Sequence, residues 1–249
     1  MSFVRYFAQT VFLICIPIFL VTTNVRVATS WEATYHYAFS QYDVPGVTRL
    51  ERSELDRAAT QIVDYFQSAQ PGTLLDIRVK QGVDTVPLYS EREVLHMADV
   101  LGLMRFVFRL QEFTFIYVVM YLAGIYLWSR ERSLLHLAKM SMWAGAGTAA
   151  VLGVAAVGML VGFDSLFLKF HQLSFANDFW ALDPARDRLV QMFPQGFWFD
   201  VSFAVGVVTV IEGGLVFLAG YGFLAWHERQ RPGRVVRPWP RLNITGMGE

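Results

Sequence analysis

Four long apolar runs alternate with charged segments along this chain. The first runs from Tyr6 to about Val21, between Arg5 and Arg26. The second covers about Phe113 to Trp128, and Phe106, Val107, Phe108 and Leu110 lengthen it as an amphipathic lead-in. The third is about Met142 to Phe163 and the fourth about Val201 to Trp226. A helix needs about 20 apolar residues to cross a bilayer. The pattern therefore predicts spans over roughly 6–24, 106–128, 142–163 and 201–226. A signal peptide is the rival reading of the first run, given its basic start and the small residues near Ala28. The third run is rich in Gly and Ala (WAGAGTAAVLGVAAVG). Small residues let membrane helices approach closely, which places this helix at the centre of a bundle. The fourth run holds one charge, Glu212, beside Gly213 and Gly214.

Between the runs the pattern changes. Leu55, Ala59, Ile62, Val63 and Phe66 recur at helical spacing within Ser53–Phe66, and Pro71-Gly72 should end that helix. Leu74–Val79 alternates weakly and is followed by Gln81-Gly82, which suggests a short two-stranded piece. Ser90 and Glu93 have the spacing of a capping box and should start a helix through His96, Asp99 and Met104 toward the second run. The expected fold is thus mostly α. It is a four-helix transmembrane bundle with an α and small β insertion at 25–105, and a re-entrant or interfacial loop at 164–200. Arg130, Arg132 and Lys139 follow the second run, and five arginines lie in the segment 227–249. The positive-inside rule puts both of these segments and the N-terminus in the cytoplasm, leaving 25–105 and 164–200 outside. The basic, Pro-rich tail reads as disordered or lying on anionic lipid.

Composition adds limits. Only 17% of the 249 residues are charged, against about a quarter in a soluble domain, and the formal net charge is zero. No basic stripe with interleaved aromatics suggests a nucleic acid. The single cysteine, Cys15, excludes an internal disulfide and a Cys-based zinc site.

The outer segments carry the candidate chemistry. Phe170–Asp200 (FHQLSFANDFWALDPARDRLVQMFPQGFWFD) packs a histidine, an amide, tryptophans and carboxylates into a stretch too polar for lipid and too elaborate for a tether. Glu93, His96 and Asp99 follow one another by three residues, so a carboxylate one turn away can hold the imidazole. Taken alone, each histidine is as readily an amphipathic interfacial residue, and the stripe a solvated helix face. No HExxH or GxSxG pattern is present. Glu212 is costly in a span and should face the bundle interior, where it either meets a substrate headgroup or joins two helices.

Two segments resemble a known family. Tyr89–Val100, YSEREVLHMADV, is similar to the first signature of the lipoprotein intramolecular transacylase (Lit) family, built on a Glu, a His-Met and an Asp-Val. The stretch from Phe170 is similar to the second, a Phe-His followed by Phe, Asn-Asp, Trp, Leu-Asp-Pro, Asp and Phe-Pro. Leu101 and Gln195 depart from that pattern, standing where the family often has Lys and Glu.

The resemblance implies a multi-pass enzyme of the bacterial plasma membrane whose partners are a diacylated lipoprotein and membrane lipids, with no cofactor and no metal. It would move the sn-2 acyl chain of the diacylglyceryl group to the α-amino group of the N-terminal cysteine. It carries over His96 and His171 as the catalytic pair. On this reading His171 serves as general base and His96, oriented by Asp99, assists, although the reverse assignment is equally open to the sequence. Asn177 is a candidate oxyanion donor. Glu93 and Asp183 are candidate orienting groups, and Trp180 and Glu212 candidate substrate contacts. The rival readings are another lipid acyl hydrolase or acyltransferase, and a non-enzymatic lipid- or partner-binding membrane protein.

Overall fold

The structure, a computed structural model, describes residues 2–67, 73–128 and 130–230. The breaker Pro71-Gly72 and the basic segment beyond residue 230 lie outside the described residues. Among the described residues, four helices are long and apolar enough to cross a membrane. They are α1 (Ser2–Ser30), α5 (Glu91–Trp128), α6 (Arg130–Ser174) and α8 (Gln195–Arg229). Between α1 and α5 lie α2 (Glu32–Gln41), α3 (Val44–Thr48), α4 (Arg52–Gln67) and the hairpin β1 (Arg78–Gln81) and β2 (Asp84–Pro87). A short α7 (Arg188–Met192) sits between α6 and α8. The protein is a multi-pass membrane protein with a mostly helical fold.

The local signals act where they stand. Ser90 N–H donates to the Glu93 carboxylate at 2.7 Å while Ser90 Oγ accepts from Glu93 N–H at 3.4 Å, so the capping box starts α5. The hairpin turns at Gly82, whose φ of 68° is the left-handed region that Gly enters at no steric cost. Arg78 pairs with Pro87 and Gln81 with Asp84 in the antiparallel register.

At 1.5 Å per residue, the 38 residues of α5 are about 57 Å long, nearly twice the ~30 Å hydrocarbon core. Its apolar half is the second half, so the first turns, through His96, stand clear of the span. They enter a head built by α2–α4, the hairpin and α7. There Phe39, Leu55, Ile62, Leu88, Met97 and Met192 form one buried core. A second, smaller core of Phe12, Cys15, Ile16, Val118 and Ala144 joins α1, α5 and α6 within the bundle. The opposite end, the base, is closed by Gln9 and His136 at 2.9 Å and by Tyr117 donating to the Ala8 carbonyl.

One expectation about the third run changes. Helix α6 does not stop at 163. It bends at Gly162 (φ −166°, ψ 55°) and resumes to Ser174, so the first eleven residues of the supposed loop are helical. Helix α6 packs against α8, α1 and α5, while Val151, Val154, Val157 and Leu160 are exposed on its outer side. Its closest approach is to α8. A Cβ on Gly145 would sit 2.3 Å from the Gly213 carbonyl oxygen, and one on Gly220 2.4 Å from that of Ala138. Backbones this close tolerate no side chain. Gly147 faces open space. Gly145→Ala is therefore expected to cost about 1–3 kcal/mol through overpacking. Gly147→Ala is expected to gain up to about 1 kcal/mol from helix propensity. Thermal unfolding of both variants in detergent checks the opposite signs.

Candidate active site

Two elements supply the site: the second turn of α5 and the far end of α6. His96 lies on α5, buried against Phe175 at 5.2 Å between ring centroids, edge to face. His171 lies on the last turn of α6, half-buried, with Phe167 at 4.4 Å, Phe170 at 5.3 Å and Trp180 at 5.4 Å from its ring. The two imidazole centroids are 6.1 Å apart. A single tetrahedral centre between them can touch both rings.

The surroundings give the rings different states. His171 Nδ1 is 2.7 Å from the Phe167 carbonyl oxygen. A carbonyl only accepts, so Nδ1 carries a proton, and in the neutral ring Nε2 is the nitrogen that presents a lone pair. This is an i→i−4 bond along the helix, and the kinked continuation of α6 makes it possible. His96 Nδ1 is buried with no hydrogen-bond partner among the described residues. Burial pushes the His96 pKa down from 6.5 to about 4; the neighbouring His171 lowers it further and Asp99 partly offsets both. His96 is thus neutral at pH 7.

The flanking candidates divide. Asp99 accepts from Asn177 Nδ2 at 2.8 Å, and Asn177 Oδ1 accepts from Phe179 N–H at 3.0 Å. This pair ties the loop after α6 to α5 and sets His171 opposite His96. Trp180 lies against His171, as noted. Glu93 is fully buried, but its oxygens go to backbone: one to Ser90 N–H, the other to Leu189 N–H at 2.6 Å. It starts α5 and anchors the first turn of α7. Asp183 closes its own turn, accepting from Ala185 N–H at 2.9 Å while its N–H donates to Asp187 at 2.6 Å. Glu212 accepts from Asn24 Nδ2 at 2.7 Å, and Asn24 also reaches Thr209 at 3.0 Å. This joins α1 to α8 about 18 Å along α8 from Asp200.

Several participants gave no signal in the sequence. Tyr65, buried on α4, faces the charges of Arg105 and Asp99, and burial leads the rise in its pKa. Arg92 donates to the Asp178 carbonyl across the loop. Tyr37 and Tyr42 both donate to Asp200, at 2.8 and 2.6 Å, fixing α2 to the start of α8. Helical spacing in this segment marked Leu55, Ala59, Ile62, Val63 and Phe66, and Tyr65 was not among them.

A multi-span bundle with a buried and a half-buried imidazole side by side under a polar head has the form of a membrane-integral enzyme, and comparison with known proteins gives it a family. Residues 10–198 match the model of the lipoprotein intramolecular transacylase Lit family, and the chain belongs to that family. It is therefore an enzyme of the transacylase class. An uncharacterized protein of Aquifex aeolicus (strain VF5) is 22% identical over 220 residues, covering 87% of this chain and 94% of that protein. Among solved structures, the lipoprotein intramolecular transacylase Lit of Bacillus cereus superposes with a TM-score of 0.73 at 17% identity, over 93% of this chain and all of that one. A variant of the same protein, with one histidine replaced by arginine, gives 0.73 at 16% identity over 92% and 96% of the two chains. At these identities the likeness shows the fold.

Proposed function

We propose that the chain moves the sn-2 acyl group of a diacylglyceryl lipoprotein to the α-amino group of the same molecule's N-terminal cysteine. The observation that carries this reading is the tautomer of His171, whose bare Nε2 belongs to a ring 6.1 Å from the neutral His96. An α-amino group has a pKa of roughly 8, so its ammonium form first releases a proton to solvent, and the neutral amine loses a second proton as it attacks. His171 Nε2 takes it. The amine nitrogen bonds to the ester carbonyl carbon, and the oxyanion that forms accepts a hydrogen bond from His96. The bond from that carbon to the sn-2 oxygen then breaks. His171 returns its proton to the leaving glyceryl oxygen. One N–C bond forms, one C–O bond breaks, and the proton moves from nitrogen to oxygen. The products are an N-acyl cysteine and a free glyceryl hydroxyl.

No protein nucleophile is needed, because the amine is already tethered to its ester. Effective molarity can supply about 7–11 kcal/mol of such a barrier. Cys15 lies in the bundle core on α1, away from the head. Phe167, Phe170, Phe175 and Trp180 offer the acyl chain an apolar wall beside the imidazoles. Arg5 and Lys139 sit at the base, which favours a cytoplasmic base with both termini there and a head facing outward, where lipoproteins emerge.

The test is direct. In a bacterial host lacking an enzyme of this family, expression is expected to convert an endogenous diacylglyceryl lipoprotein into its N-acyl lyso form, read by mass spectrometry of the N-terminal lipopeptide. Release of free fatty acid without N-acylation would instead identify a hydrolase. A stable acyl adduct on the chain itself would overturn the one-step route.

A further inference from the structure

The segment from Asn177 to Trp180 faces two ways. Asn177 reaches Asp99 and Trp180 lies on His171. Asp178 and Phe179, between them, line an open cavity of about 630 Å³ whose opposite wall is Glu91, Arg92 and Leu95 from the first turns of α5. Asn177 belongs to both the cavity and the imidazole site. Arg92, by donating to the Asp178 carbonyl, holds the two walls together. Neither the Glu91 nor the Asp178 carboxylate has an ion-pair partner among the described residues. Phe179 is 37% exposed and supplies an apolar surface on the same wall.

We infer that this cavity is the subsite for the polypeptide that follows the acylated cysteine, and that it favours basic over acidic residues just after that cysteine. The inference rests on the acyl-transfer reading. A substrate of that kind has two unlike ends: acyl chains that must stay on apolar surface and a polypeptide that must leave into water. With the cysteine at the imidazole pair, the chain needs an exit on the polar side of the loop. The cavity is one segment's thickness away, opens to solvent at the head, and falls in the usual range of ligand pockets, roughly 300–1,000 Å³. Two carboxylates against one guanidinium leave its rim net negative. Exposed charges of this kind give preference more than raw affinity.

The experiment uses the full chain in a detergent with a neutral headgroup, at low salt. Three diacylglyceryl-cysteinyl peptides are compared, with Lys-Lys, Ser-Ser or Glu-Glu in the two positions after the cysteine. The N-acyl lyso product is quantified by mass spectrometry. The Lys-Lys peptide is expected to show a KM about three- to tenfold below that of Glu-Glu, a gap that narrows as salt screens it. The double variant Glu91→Gln, Asp178→Asn is expected to close the gap to within about twofold, and the exposed single change Glu91→Lys to shift preference toward Glu-Glu. Conversion of all three peptides with equal KM overturns the subsite and leaves the acyl-transfer reading standing. So does a gap that persists in both variants. Conversion of none of them by the unaltered chain overturns the acyl-transfer reading itself.

Discussion

Replacing His171 by alanine is expected to lower the rate of N-acylation by about 10²–10⁴-fold, the usual contribution of a positioned general acid–base. The loss should fall on kcat, because the imidazole acts on a proton in transit and binds little of the substrate. Mass-spectrometric counting of N-acyl product from purified protein measures it. A folding defect is a weak rival explanation here. His171 is half-buried on the last turn of α6, and among the described residues its side chain hydrogen-bonds its own helix at Phe167. Its loss should cost no more than about 1 kcal/mol. The tautomer is set by a backbone carbonyl, so no second side chain can be removed to mimic the effect. His171→Gln is therefore the informative companion. It can keep a hydrogen bond but cannot take a proton, so it should be as inactive as alanine. Retention of more than about a tenth of the activity by either variant would exclude His171 as the base.

The residues explain which parts of this arrangement could be read from the sequence. The four runs were legible because crossing a bilayer imposes a length and an apolarity on each helix separately. The start of α5 was legible because a capping box is a four-residue signal, and it forms between Ser90 and Glu93. The second duty of Glu93 was not legible. Its partner Leu189 is 96 residues away and contributes a backbone N–H, which carries no residue signature. Asn177 and Asp99 are 78 residues apart, and neither segment alone signals that the two bond each other. Glu212 was marked as costly by its position, but the choice between substrate and helix partner depended on Asn24, 188 residues away. The extent of α6 was misread because polarity, which rises after Phe163, is a signal of solvent and not of helix end. In a helix that outruns the bilayer, the two boundaries fall at different residues. The Gly and Ala residues of the third run were legible for a different reason: small residues mark a close contact, and Gly145, Gly213 and Gly220 do mark one between α6 and α8.

Replacing His96 is expected to produce two effects, a loss of activity and a change in how stability depends on pH. At pH 7 His96→Ala should lower the N-acylation rate by about 10²–10³-fold, the range for removing one oxyanion donor from a buried site. In the reading above His96 acts as a neutral donor, and a ring whose pKa is about 4 stays neutral throughout the working range. The activity of the unaltered chain should therefore show no acid limb from His96 above pH 5. Stability behaves differently. In the unfolded chain the ring returns to an ordinary pKa of about 6.5, so between pH 6.5 and 4 the unfolded state binds more protons than the folded one. Stability must then fall as the pH falls through that window and level off below the folded pKa. His96→Phe keeps a large ring in the pocket beside Phe175 and removes the titration. Its Tm should depend less steeply on pH between 6.5 and 4 than that of the unaltered chain, while its activity at pH 7 is lost. Parallel melting curves at pH 4.5, 5.5 and 6.5 test this difference. Equal slopes would mean that His96 is not held neutral by burial. The role of neutral donor would then pass to another group at the Asp99–Asn177 junction.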